Sequence, residues 1–199
     1  FEFIDDQGKV CEVDALVLSG AGLFVVEIKS RPGTLAGDVH TWTWTTDGRV
    51  LTTDNPLILA DRKAKRLASL LRRQPAVVKA KMRLPFVEPA VFLSSTSLDC
   101  RLDSRAHLGT FQQGRPGTPD DTGIVAALTR GITTTALPLA SPIDTQQARA
   151  IDRALKVLPP PRVRVRARRN DETSPPAPPS RGNRREHHRT RPSELRQVL

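Results

Sequence analysis

The sequence predicts an α/β domain, a mixed sheet flanked by helices, followed by a disordered basic tail. Three observations predict it. Apolar stretches of strand length, separated by Gly, Pro and Asp-Gly turns, fill residues 1–54; the apolar period lengthens to that of a helix after Asp54-Asn55-Pro56; and apolar periodicity is lost after Leu158.

The chain opens on Phe1-Glu2-Phe3-Ile4, an alternation expected inside a strand, and without Met; it reads as a fragment or as a reading frame that lost its start. Cys11 to Leu18 is a strand, Ser19-Gly20-Ala21-Gly22 a turn, and Leu23 to Lys29 a second, more apolar strand, so the two form a hairpin. Arg31-Pro32-Gly33 is a turn, Thr41 to Thr45 has strand chemistry, Asp47-Gly48 is a strong hairpin signal, and Arg49 to Thr53 returns as a strand in a meander.

Leu57, Ala60, Ala64, Leu67 and Leu71 then recur at helical spacing, which predicts a helix from Leu57 to Arg73. Ala90-Val91-Phe92-Leu93, between Pro89 and Ser94, is a short buried strand, and the order becomes β-β-β-β-α-β. Gln112 to Thr122 is a Gly/Pro-rich loop, Gly123 to Thr129 a short helix, and Asp144 to Leu158 an amphipathic helix capped by Asp144 or Thr145. The expected organisation is a core over 1–110, an extension of loop and helix over 111–158, and a tail over 159–199 whose Arg, Pro and Ser cannot offset chain entropy. That tail also resembles out-of-frame translation of a GC-rich gene.

The 199 residues carry a net charge of +10, which points to a polyanionic partner such as nucleic acid. Much of the excess falls in the tail, where it attracts phosphates without specificity. No stretch approaches the roughly 18 to 20 apolar residues of a membrane span, and no secretory signal opens the chain, so a cytoplasmic protein with no membrane partner is expected. Cys11 and Cys100 are expected to be ordinary thiols, neither a disulfide nor metal ligands.

The chemistry concentrates in the first hairpin. If Leu18 and Leu23 close its turn, Leu16 falls opposite Val25, Asp14 opposite Glu27 and Glu12 opposite Lys29. Two carboxylates with Cβ atoms roughly 4.5 to 5.5 Å apart repel unless a cation lies between them. A divalent metal, Mg²⁺ or Mn²⁺, is the natural occupant, with Asp14, Glu27 and the Ile28 carbonyl as ligands. Lys29 shares the face of Glu27 and would orient a water or offset phosphate charge, which makes Asp14, Glu27 and Lys29 the candidate catalytic set. By charge pattern alone the same residues describe a solvated strand face. The apolar run from Leu23 to Val26 favours a central strand instead.

Glu12-Val13-Asp14-Ala15-Leu16-Val17-Leu18, a Gly turn, and Leu23-Phe24-Val25-Val26-Glu27-Ile28-Lys29-Ser30 with Pro32-Gly33 following carry the pattern D-x12-E-x-K. With Asn55-Pro56 before a basic amphipathic helix, this resembles the nuclease-related (NERD) domain of the PD-(D/E)XK superfamily over about residues 1–110. It looks most like the NERD domain preceding the serine/threonine kinase of bacterial phage growth limitation (BREX-type) proteins. The resemblance implies a restriction-endonuclease-like fold, Mg²⁺-dependent phosphodiester hydrolysis or DNA binding, and other phage-defence proteins as partners. A non-catalytic module adjoining a kinase is the alternative; the kinase motifs His-Arg-Asp and Asp-Phe-Gly do not occur in these residues.

The helix cations Arg62, Lys63, Lys65, Arg66, Arg72 and Arg73 form a cluster that could contact a phosphate backbone, Lys63, Lys65 and Arg66 above all, with a solvated helix face as the bland reading. Trp42 and Trp44 share a strand face and are expected to pack rather than stack on bases.

Overall fold

A computed structural model describes residues 1–114, 123–130 and 142–158, all within the first of two units, Phe1–Arg162. The expected tail, its reading-frame reading and most of the Gly/Pro-rich loop lie outside the described residues.

Seven strands come first: β1 (Glu2–Ile4), β2 (Val10–Glu12), β3 (Ala15–Ser19), β4 (Gly22–Lys29), β5 (Gly33–Gly37), β6 (Thr41–Thr46) and β7 (Arg49–Asp54). Helices α1 (Pro56–Arg72) and α2 (Pro75–Lys79) follow, then β8 (Val87–Leu93), β9 (Leu98–Leu102) and β10 (Thr110–Gln112), and finally α3 (Ile124–Arg130) and α4 (Thr145–Lys156). The α/β class is as expected: mixed sheets flanked by helices.

The main sheet has the order β10-β8-β4-β3, with β4 antiparallel to β3 and parallel to β8. Six consecutive β4 residues, Gly22 to Glu27, are buried, because helices cover both faces. On one face Leu23, Val25 and Val87 meet Ala60, Ala64, Leu67 and Leu71 of α1 and Ile151 of α4. On the other, Phe24, Val26 and Ala90 meet Phe111 and Ile124. A second sheet, β7-β6-β5-β9, contains the expected meander and packs Leu35, Trp42 and Trp44 against Val91 and Leu93. The Asp47-Gly48 turn has the positive φ values, 50° and 73°, that a two-residue hairpin favours.

The single strand expected from Cys11 to Leu18 is two strands. Val13 donates its N–H to the Phe1 carbonyl at 2.8 Å, and Glu12 pairs with Glu2, so the chain leaves β4 at Asp14. Glu12 therefore does not face Lys29. Where the ladder runs, its register is the expected one, with Leu16 opposite Val25 and Leu18 opposite Leu23.

β5, β9, β10 and α2 are additions to the sequence reading. Gly33 enters β5 with φ +99°, and a Cβ there would collide with the Thr45 carbonyl, so the close approach of β5 and β6 requires glycine. Helix α1 begins where the sequence placed it: Pro56 is in the first turn and Asn55 is the cap, accepting from Leu57 N at 2.9 Å. Asp144 caps α4 in a full capping box with Gln147. Among the described residues no helix is long and apolar enough to cross a membrane.

Candidate functional site

The end of β4 assembles the site. Glu27 is 4% exposed and projects toward α1, on the face that carries Leu23 and Val25. Lys63 reaches it from α1 and donates Nζ to Oε1, while Lys29 Nζ stands 3.6 Å from Oε2. The Lys63 side chain is only 15% exposed, because position 63 falls on the apolar stripe of α1, three residues after Ala60 and four before Leu67. Lys29 keeps 37% exposure and reaches the surface.

Asp14 is exposed and lies just beyond the last β3–β4 pair, Ala15 with Val26. Its Oδ2 accepts from the Ile28 N–H at 2.7 Å, in the place a β3 backbone carbonyl would occupy had the strand continued. N–H and C=O of one extended residue point the same way, so the Ile28 carbonyl opens toward Asp14. Asp14 is thus tied to the peptide that follows Glu27.

Of the six residues the sequence nominated by side chain, the structure brings Glu27, Lys29 and Lys63 together and ties Asp14 to the Ile28 N–H beside them. Lys65 instead faces Asp61 at 2.6 Å, and Arg66 faces Asp5 at 3.1 Å and the Cys11 thiol at 3.5 Å. Lys63, Lys65 and Arg66 each already have a carboxylate opposite them. The pairing of Lys63 with Glu27 was not anticipated, although a lysine on an apolar helical stripe calls for an anion below it.

A hydrated hard cation suits this donor set. Asp14, Glu27 and the Ile28 carbonyl supply oxygen alone, and Mg²⁺ binds through one or two carboxylates while keeping its waters. Among the described residues no group of three or more His, Cys, Asp or Glu gathers as a cage, so water and phosphate oxygens would complete the shell. Cys11 is buried and Cys100 half-buried, both free.

A groove of about 850 Å³ opens beside this cluster, reaching from Ile28 and Lys29 to Asn55 and Arg62. Deeper in the sheet Glu88 is buried with Oε1 unpartnered, and burial pushes its carboxyl up to about 7.

The family model described as "Nuclease-related domain" (NERD) matches residues 1–94, which include the whole cluster. Residues 1–94 thus resemble a NERD domain. The match takes in Asp14, Glu27, Lys29 and Lys63, and it ends just after β8. "Probable kinase PglW" of Streptomyces coelicolor is 38% identical to the chain over 112 residues, 56% of this chain and 7% of that protein. The chain thus corresponds to a small part of that relative's length. No solved structure matches the chain significantly.

Proposed function

We propose that residues 1–94 form a NERD domain that hydrolyses phosphodiesters in DNA with Mg²⁺ or Mn²⁺ at Asp14 and Glu27. The observation that carries the reading is the junction at the end of β4: Asp14 binds the peptide next to Glu27, and Lys29 stands beside the Glu27 carboxylate.

Asp14, Glu27 and the Ile28 carbonyl would hold the ion. When bound, it lowers the pKa of a coordinated water and polarises a phosphoryl oxygen. Lys29, which reaches solvent, orients the attacking water or offsets the charge that grows on the phosphate. Lys63 holds Glu27 in place from α1 and neutralises it in the metal-free site. By resemblance the setting is bacterial phage defence in the cytoplasm, with other defence proteins as partners.

A second reading is a non-catalytic module that once adjoined or now adjoins a kinase. Glu27 favours it, since two ammonium groups already satisfy one buried carboxylate. Plasmid nicking by the full chain, with Mg²⁺ or Mn²⁺, separates the two. Hydrolysis predicts nicking that Asp14→Asn and Glu27→Ala both abolish. A wild-type chain that leaves plasmid intact removes the enzymatic reading.

A further inference from the structure

The groove beside Lys29 is lined by residues that the hydrolytic reading leaves unused. Arg31 and Arg62 are both exposed, and among the described residues neither forms an ion pair. With Lys29 they set three cations against one lining carboxylate, Asp54. Lys63, Lys65 and Arg66 of the same helix cluster are occupied by Glu27, Asp61 and Asp5, whereas Arg62 faces the groove.

The same groove is apolar along one side. Leu51, on β7, is 42% exposed and Leu59, on α1, is 49% exposed; Trp44 lines the groove as well. Cations beside exposed aliphatic surface, with the buried Trp44 in the lining, match a polymer that presents phosphates and flat apolar faces together. A duplex presents its phosphates but keeps its base faces stacked inside. An unpaired strand presents both.

We infer that this groove binds a single nucleic-acid strand with unpaired bases, Arg31 and Arg62 holding consecutive phosphates and Leu51 and Leu59 packing against bases or sugars. The inference rests on the nuclease reading for the polymer's identity, and it leads the strand to Lys29.

Trp44 supplies a readout that the basic tail cannot mimic, because, of the chain's two tryptophans, both buried, Trp44 at 5% exposure is the one that lines the groove. The full chain is titrated in EDTA with oligothymidylate and with a duplex of equal length, following tryptophan fluorescence and anisotropy. Oligothymidylate is expected to change the Trp44 emission, and the duplex is not. Arg31→Gln with Arg62→Gln should weaken oligothymidylate binding about tenfold and flatten its log-log salt slope by about 1.4. Leu51→Ser with Leu59→Ser should weaken it with the slope unchanged, and Lys65→Gln should bind as wild type. An unchanged Trp44 signal, a duplex that matches oligothymidylate, or an arginine pair whose loss leaves the slope intact overturns the groove. Plasmid nicking without oligothymidylate binding discards the groove and keeps hydrolysis; binding without nicking does the reverse.

Discussion

Lys63 on α1 donates its ammonium to Oε1 of Glu27 on β4, and Lys29 stands 3.6 Å from the other oxygen. One buried carboxylate thus joins helix and sheet at the candidate site. Removing a partner from a buried ion pair costs about 3–5 kcal/mol, because the remaining charge stays out of water. Lys63→Met should lower stability by roughly 3 kcal/mol in EDTA, with part of the loss restored by Mn²⁺. Urea unfolding with and without the metal checks both parts. A variant as stable as wild type in EDTA contradicts the pairing.

Asp14 replaces a strand rather than extending one. Asp14→Ala removes the acceptor of the Ile28 N–H, whereas Asp14→Asn keeps an oxygen there. Amide exchange at Ile28 should quicken about tenfold or more in the alanine variant and stay near wild type in the asparagine variant. Equal protection in all three proteins would show that the bond does not form.

Asn55 closes α1 beside the groove. Its side chain accepts from Leu57 N at 2.9 Å and donates to the Val39 carbonyl at 3.1 Å, joining the helix start to the second sheet. Asn55→Ala should cost about 1–2 kcal/mol, read as a lower urea midpoint with unchanged m-value.

Glu88 gives a pH signature. Its folded carboxyl titrates near 7 against an ordinary 4.5, so between these values the folded chain holds a proton that the unfolded chain has released. Stability from this group is complete below pH 4.5 and is lost as the pH rises through about 7. The difference amounts to about 3 kcal/mol. Glu88→Gln should remove that decline, so the stability gap between variant and wild type widens from pH 4.5 to 7 and then levels off. Parallel stability profiles contradict it.

Much of the architecture was legible because it is local. The Ser19–Gly22 turn set the β3–β4 register, Asp47-Gly48 set the next hairpin, and Asn55-Pro56 marked the start of α1. The missed elements depend on distant partners. β9 and β10 are short strands whose parallel neighbours, β5 and β8, are not adjacent to them in sequence, and β5 has glycine at both ends and no strong strand signal. The break at Asp14 was hidden for the same reason: the alternation runs on through Val13, and only pairing with Phe1 diverts it. At the site, residue identities came from the hairpin, while the role of Lys63 waited on knowing which face of α1 meets β4.

In the proposed function Asp14 and Glu27 form one divalent-metal centre. Electron paramagnetic resonance of free Mn²⁺, titrated with the full chain, tests it most directly. One Mn²⁺ is expected to bind per chain, with affinity lost in Asp14→Asn and in Glu27→Gln. Wild-type chain that leaves the free Mn²⁺ signal unchanged, or binding indifferent to both substitutions, contradicts it.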